Sequence, residues 1–318
     1  MSEKGIIKIN KLLPNSIMTL EPQRSFIDYY RVYGDRLAMH YENNGVILLP
    51  FAPIDLDLEI FQILQLPDAW KKPGGEANAS PLFKPLYQRT GDKFSVDTTH
   101  PLLFVAGGDV AFAQYLQSQM TSVNAQFMAG LQHLFPLYRL PPNPTITWRF
   151  TVSENEIGHL DEFARNRPYT PELRKRQRMK AFFNVDTKPR AWRISYDIPT
   201  FLKVMKDKLP QRLPPDTNIL SEVINRTGLL TECPWHEVSY PQMSLIIANG
   251  ESVAHQVLFG RRVIGYEANF LAEDMIEPEK AARSAVAKWI TDAGLEVDDD
   301  PNPRGDKYVA TGSMYQTS

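Results

Sequence analysis

His159-Leu160-Asp161 and, 96 residues further on, Ala254-His255-Gln256 are the two stretches that decide how this chain of 318 residues is read. In an extended segment residues i and i+2 point to the same side. His159 and Asp161 can therefore reach one ion if 156–161 is extended, and His255 then has to arrive from another strand of the same sheet. Two imidazoles and one carboxylate occupy one face of an octahedral iron(II) and leave the opposite face open. The same three side chains can also hold a zinc ion with an open position. A lone His-x-Asp arises by chance in many chains of this length, so its weight comes from what surrounds it.

Working outward, Met243 to Ala248 reads as a strand and Asn249-Gly250 as a turn. His255 follows, Gly260-Arg261-Arg262 makes a second turn, and Val263 to Leu271 is another strand. This order presents His255 at a barrel mouth. Upstream, Thr145 to Thr151 alternates like a strand, Glu156 to Asp161 carries the first two candidate ligands, and Met179 to Val185 and Ala191 to Ser195 are further strands. Thr200 to Lys208 and Asn218 to Arg226 read as helices, and Pro278 to Ala293 as a capped helix with proline near its first turn. The amino-terminal part differs in character. Arg24 to His40 has helical content, Asn43-Asn44-Gly45 signals a turn, and Val46 to Pro50 is a buried strand. Asp55 to Leu64 is a helix, and 66–100 is rich in Pro, Gly and Lys and reads as long loops. Val110 to Phe135 is the strongest helix, with Ala111, Phe112, Tyr115, Leu116, Met120, Val123, Phe127, Leu131 and Leu134 recurring near a period of 3.6. Of the other histidines, His40, His100 and His133 lack a carboxylate at metal spacing in a strand. His236, in Trp235-His236-Glu237, is a weak alternative ligand.

The expected class is α+β in a single domain over 1–318. A mainly helical flank with pocket loops spans 1–140, a β-rich catalytic core 141–275, a helix 276–294 and a loose polar tail 297–318. The bulk numbers narrow the function. Hydrophobic residues make up 43% and charged residues 23%, ordinary for a globular chain with a sizeable core. A net charge of −2 and the lack of a basic stripe with interleaved aromatics argue against a nucleic-acid partner. One cysteine, Cys233, rules out an internal disulfide and fits a reducing compartment. With no long apolar run at the amino terminus or elsewhere, the expected location is cytoplasmic. The 25 prolines favour a loop-rich fold over a bundle.

Several segments carry a family likeness. Gly158-His159-Leu160-Asp161-Glu162-Phe163 is followed by Arg167-Pro168, by Met179-Lys180-Ala181-Phe182-Phe183-Asn184-Val185, and by Pro189-Arg190-Ala191-Trp192-Arg193. Near the end comes His255-Gln256-Val257-Leu258-Phe259-Gly260-Arg261. This order resembles the Kdo hydroxylases, Fe(II)/2-oxoglutarate dioxygenases that act on the 3-deoxy-octulosonic acid sugar of lipopolysaccharide. The likeness covers about 145 to 280 and, more loosely, 45–65. Pro-Arg-x-Trp-Arg and His-x-Val-Leu-x-Gly are its more specific elements, whereas His-x-Asp is shared by the whole superfamily. It implies a double-stranded β-helix (jelly-roll) core with flanking helices, and Fe(II) held by His159, Asp161 and His255. 2-Oxoglutarate and O2 are then the cosubstrates, and the keto acid is decarboxylated to succinate while a substrate C–H bond is hydroxylated. A carboxylate at 161 fits hydroxylation rather than halogenation, which frees that coordination site with a small residue.

The far carboxylate of 2-oxoglutarate needs a buried cation. Many relatives place an Arg about ten residues past the distal His, and this chain has none there: Arg261 and Arg262 come sooner and Val263 to Phe270 lacks Arg and Lys. Other relatives use a basic residue on the strand after His-x-Asp. Lys180 is placed for that, with Met179, Ala181 and Phe183 facing the other way; Arg178 on the same face and Arg262 are the alternatives, and an exposed strand lysine is the bland reading of Lys180. The basic run from Arg165 to Lys180 reads either as a solvated loop or as a lid for an anionic substrate, with Arg165 and Arg167 as contacts. Arg149 faces the same way as Thr147 and can point into the barrel, while Arg190 and Arg193 can pin loops. The substrate expected from the likeness is an anionic small molecule or a lipid-linked acidic sugar, with peripheral membrane contact. A free amino acid or secondary metabolite is the competing substrate. A zinc hydrolase and a non-catalytic jelly-roll binding protein are the competing classes. Hydrolysis wants a general-base Glu aimed at the metal, and Glu162, next to Asp161, points to the opposite face of a strand.

Overall fold

Val46-Ile47-Leu48-Leu49 and Leu245-Ile246-Ile247-Ala248 are apolar runs without polar alternation, the pattern of strands covered on both faces, and all eight residues are buried. They lie side by side, in antiparallel register, in the computed structural model of the chain, which describes residues 5–14, 16–63, 87–90, 93–96, 110–150 and 156–309. The strands of the two main sheets are, in chain order, β1 (Ile6–Lys8), β2 (Ile17–Thr19), β3 (Val46–Leu49), β4 (Thr145–Phe150), β5 (Arg176–Asn184), β6 (Arg190–Asp197), β7 (His236–Tyr240), β8 (Leu245–Ala248), β9 (Val253–Phe259) and β10 (Arg262–Leu271). The larger sheet has the order β2-β3-β8-β5-β10-β4 and the smaller β1-β7-β6-β9. Only the β2–β3 pair is parallel among these neighbours.

The sheets face one another across a shared core. Leu48, Phe182, Ile246 and Val263 of the larger sheet join Trp192, Ile194, Val238 and Val257 of the smaller in one buried cluster, as two stacked sheets require. Side chains one residue out of phase, Met179, Ala181, Phe183, Ile247, Ile264 and Tyr266, turn to the outer face and form a second cluster with helices. Those helices are α1 (Phe26–Tyr33), α2 (Arg36–Glu42), α3 (Leu58–Ile63) and the 25-residue α4 (Val110–Leu134). A third cluster closes one end. It joins α6 (Ile198–Met205), α7 (Thr217–Thr227) and α8 (Ala282–Asp292) to Leu160 and Ala254, the neighbours of two candidate ligands. A short α5 (Pro171–Arg174) leads into β5.

Several expectations change in detail. The helix expected over 24–40 is two, because the chain turns at Gly34 with φ 55°, where its N–H reaches back to Tyr30 O at 2.7 Å. The buried face of α4 keeps Leu116, Met120, Val123, Phe127, Leu131 and Leu134, but Tyr115 is 46% exposed and donates to Asp57 instead. Gly130 lets α1 approach, since a Cβ there would lie 2.4 Å from the Phe26 ring. The helix expected from Pro278 begins as a 3-10 turn, and α8 proper starts at Ala282. The loops expected over 66–100 contain two paired antiparallel strands, Tyr87–Thr90 and Lys93–Val96; the rest of that span lies outside the described residues, as do His100 and Thr151. The tail is docked through 309: Glu296 and Val297 pair with Arg212 and Leu213, and Tyr308 donates to Asp298 at 3.0 Å. Residues 310–318 lie outside the description. No described helix is long and apolar enough to cross a membrane.

Candidate metal centre

The strand expected over 156–161 proves to be one bridge in an irregular extended segment. His159 and His255 are direct antiparallel partners, each N–H donating to the other's carbonyl at 2.9 Å. Glu156 N–H donates to Val257 O at 2.9 Å and Asp161 N–H to Gly250 O at 2.8 Å. The segment thus runs beside β9, whose own register shifts between Val253 and His255. Direct pairing brings the two imidazoles to 4.6 Å between ring centres. One ligating atom from each of His159, Asp161 and His255 lies within 4.8 Å of the others, the only such group of three among the described residues. The i, i+2 geometry holds although the ladder around it does not.

Helix α7 supplies what the ladder lacks. Leu160 has no strand partner on its far side; its N–H donates to Asn225 Oδ1 at 2.9 Å, and its carbonyl accepts from Asn225 Nδ2 at 2.8 Å. About two helix turns earlier, Asn218 accepts from Phe163 N–H at 2.6 Å and donates to the carbonyls of Ala164 and Arg167. Glu222 accepts from Asn166 N–H at 2.6 Å. Residues 218, 222 and 225 lie at i, i+4 and i+7, one face of a helix, and that buried polar face holds the ligand-bearing segment in place of a strand. Satisfying buried backbone groups this way is required wherever secondary structure lapses.

The ring orientations favour metal binding. His159 Nδ1 is 2.7 Å from Ile157 O and His255 Nδ1 is 3.0 Å from Val253 O. A carbonyl only accepts, so each Nδ1 carries a proton and Nε2 is the nitrogen left for the centre, the usual arrangement of a ligating histidine. Asp161 divides its oxygens. Oδ1 lies 2.7 Å from Lys180 Nζ. Oδ2 lies 3.9 Å from His255 Nε2 and is buried without a hydrogen-bond partner among the described residues. Burial alone raises a carboxyl pKa, but Lys180 foremost, with His255, Arg178 and His159, overrides it and holds Asp161 well below the usual carboxylate range. Burial, reinforced by His159, pushes His255 down to about 4, so its imidazole is neutral at pH 7. Gly250 completes the cradle: a Cβ there would fall 1.8 Å from Asp161 Oδ2 and 3.1 Å from His255 Cε1. Two imidazoles whose Nδ1 atoms are turned to carbonyls, an ionised carboxylate oxygen lacking a donor, and space kept by a glycine fit a divalent ion.

Between the two sheets the centre opens to a cavity lined by Val46, Lys180, Phe182, Trp192, Ile194 and Ala248. The Trp192 ring stacks on His255 at 5.4 Å and 20°. Lys180 faces this interior but contacts a candidate ligand directly, with Glu267 Oε2 next at 4.0 Å. The other candidate cations sit elsewhere. Arg178, 5% exposed, is held by Glu267 at 2.7 and 3.0 Å and by Glu251 at 3.2 Å. Its guanidinium is thereby committed to protein carboxylates. Arg262 pairs with Asp186 at 3.2 Å on the outer face of β10, away from the centre. Arg165 and Arg167 are exposed, and the basic run they begin is not one lid: it passes through α5 into β5, with Arg174 on Asp216 at 3.1 Å. Arg149 does turn inward, its guanidinium carbon 5.6 Å from the Phe182 ring. Arg190, read from sequence as a loop pin, is 1% exposed between the sheets and lies 6.0 Å from both the Phe182 and Trp192 rings. Its i, i+2 relation to Trp192 on one strand was the available signal. His236 is fully buried and structural, accepting from Asn10 N–H at 2.9 Å and lying 2.9 Å from Pro14 O.

No family profile matches the chain, and no curated protein matches it in sequence. Solved structures do match in fold. The Kdo hydroxylase KdoO, a non-haem Fe(II) α-ketoglutarate-dependent dioxygenase, superposes in complex with α-ketoglutarate and Fe(III) at a TM-score of 0.61 and 16% identity, over 86% of this chain and 96% of that one. Its cobalt(II) complex gives 0.59 and 15% over 87% and 96%. Its complex with succinate and Fe(III) gives 0.59 and 16% over the same shares.

Proposed function

We propose that this protein is an Fe(II)- and 2-oxoglutarate-dependent oxygenase that hydroxylates an unactivated C–H bond of a polar, anionic substrate. The observation that carries the reading is the convergence of His159 Nε2, His255 Nε2 and the donor-less Asp161 Oδ2 in a fold shared with a non-haem iron dioxygenase. The two sheets are read as the halves of a jelly roll in a single domain. β4, β10, β5 and β8 form one half, and the His159 segment with β9, β6 and β7 forms the other.

Bound at His159, Asp161 and His255, Fe(II) supplies the activation of O2 that drives hydroxylation, with succinate and CO2 as co-products of the keto acid. The protein's own residues have separate tasks. Ile157 O and Val253 O fix the imidazole orientations. Trp192, Phe182, Ile194 and Val46 make an apolar wall that excludes water from the inner side. Arg190, deep on β6 beyond Trp192, is assigned the far carboxylate of 2-oxoglutarate. Its guanidinium is buried and inward-facing, and Gly260 leaves it room, since a Cβ there would fall 1.9 Å from Nη1. Arg149, over the other ring of the same floor, is its neighbour in that role.

An acidic sugar, free or on a lipid, is the substrate class we favour, because the structures of like fold belong to a hydroxylase of the Kdo sugar. One observation supports a second class: Glu156 Oε2 lies 3.9 Å from His159 Nε2 at the exposed side of the centre, where a zinc hydrolase would want its base. Glu162 does not serve, being held by Asn225 at 2.7 Å. The deciding experiment is a panel of acidic sugars, amino acids and hydrolysable esters offered to the Fe(II) and Zn(II) proteins. An acidic sugar should accelerate 2-oxoglutarate consumption with iron. Ester hydrolysis by the zinc protein, lost in Glu156→Gln, would replace this reading with the second.

A further inference from the structure

We infer that Lys180 is a positioning residue for the metal ligand Asp161, fixing which of its two oxygens is offered to the ion, and is not the anchor of the keto acid; this rests on the oxygenase reading above. Lys180 lies on the inner face of β5, between Ala248 of β8 and Glu267 of β10. Its side chain and that of Asp161 are each 13% exposed, with Nζ at 2.7 Å from Oδ1. An ammonium in contact with a ligand oxygen stands beside the ion itself. The far carboxylate of a chelated 2-oxoglutarate is carried away from the ion by its carbon chain, so the two positions do not coincide.

The division of Asp161 has a coordination consequence. With Oδ1 engaged by Lys180 and Oδ2 left free, the carboxylate contributes one donor atom. Two histidines and one oxygen would leave three of six octahedral positions of a bound ion open, enough for a chelating keto acid and for O2. A carboxylate binding through both oxygens would leave two, and the keto acid would have to compete for them. The ammonium is itself held in register by a largely buried run of alternating charge. Glu251 binds Arg283 and Arg178, Arg178 binds Glu267, and Glu267 Oε2 lies 4.0 Å from Lys180. Glu251 directly follows Gly250, whose carbonyl receives the Asp161 N–H, so this run fixes Asp161 from its backbone and from its side chain together.

The test uses full-length protein loaded with Co(II), whose visible absorption reports ligand number and geometry. Two keto acids are titrated, 2-oxoglutarate and pyruvate, which lacks the far carboxylate. In Lys180→Met the Co(II) absorption should change before any keto acid is added, and both keto acids should weaken by the same factor, roughly 10–100-fold. Lys180→Arg, which keeps the charge and a donor, should recover part of both and guards against a folding defect in Lys180→Met. A wild-type Co(II) absorption combined with weaker 2-oxoglutarate and unchanged pyruvate would make Lys180 the anchor and overturn the inference. So would no change in either. If the wild-type Co(II) protein binds neither keto acid, the oxygenase reading fails, and the Lys180 assignment is then decided by the Co(II) absorption of the variants alone.

Discussion

Replacing Gly250 by alanine acts directly on the metal cradle. The added Cβ would stand 1.8 Å from Asp161 Oδ2 and 2.9 Å from Cγ. Ordinary contact begins at 3.4 Å, so the carboxylate has to retreat by about 1.6 Å. It has little freedom to do so, because its own N–H is tied to Gly250 O at 2.8 Å and its Oδ1 to Lys180 at 2.7 Å. The φ of Gly250 lies outside the left-handed region, so backbone strain does not contribute. Overpacking of this kind costs about 1–3 kcal/mol of stability, a fall in Tm of several degrees for a chain of this size. Displacing a ligand by about 1 Å or more should cost on the order of 100-fold in metal affinity and in rate, or about 2.8 kcal/mol. Co(II) titration by absorbance, beside a thermal melt, measures both. Gly228→Ala is the control: φ is +70° and nothing lies within 4 Å of its Cβ, so it should lose about 1 kcal/mol through strain and keep wild-type metal affinity. A Gly250→Ala protein that binds Co(II) as tightly as wild type would refute the cradle.

Asn225→Leu strands the buried N–H and C=O of Leu160; at about 1–3 kcal/mol for each unsatisfied group, it should lower both Tm and Co(II) affinity, and a loss of Tm alone would mean that α7 does not position the ligands. Arg190→Met should raise the KM for 2-oxoglutarate by roughly 30- to 1000-fold while Co(II) binding stays as in wild type; an unchanged KM would remove Arg190 from the cosubstrate site. Burial raises the pKa of Glu251, but Arg283 and Arg178 overcome it and depress it overall. Its contribution to stability is therefore complete above the unfolded value of about 4.3 and is lost as pH falls through the lower folded value. Tm of the wild type should drop in that acid range. Glu251→Gln should cost about 3–5 kcal/mol at pH 7 by leaving buried arginines uncompensated, and its acid limb should be flatter. Parallel acid limbs in melts of the two proteins would show that Glu251 does not titrate there.

The convergence of His159, Asp161 and His255 was legible because it depends on local geometry: two residues apart in extended chain face one way, and a histidine flanked by strand signals lands at a sheet edge. The strands at 46–49 and 245–248 were legible from their apolar runs, but how the strands divide into two facing sheets was not. What supports the trio was hidden. Asn225 meets Leu160 across 65 residues and Lys180 meets Asp161 across 19, and such contacts leave no periodic trace. Asn218, Glu222 and Asn225 did leave one, a polar i, i+4, i+7 row on a helix whose other face is Ile219, Leu220, Val223 and Ile224. Such a row ordinarily reads as the solvated face. Gly250 looked like a turn glycine, and only the position of Asp161 Oδ2 shows that it keeps a space. The cations were the weakest part, because a basic residue on a strand announces its face but not its partner: Arg178 met Glu251 and Glu267, Arg262 met Asp186, and Arg190 turned inward.

The most direct test of the account is succinate formation from 2-oxoglutarate by purified protein with Fe(II) and O2, compared with His159→Ala. An oxygenase centred on His159, Asp161 and His255 should give Fe(II)-dependent succinate at a rate that a hydroxylatable substrate raises, with the His159→Ala rate at background. Succinate at the wild-type rate from His159→Ala, or none from wild type with any substrate while the protein binds Fe(II), would contradict it.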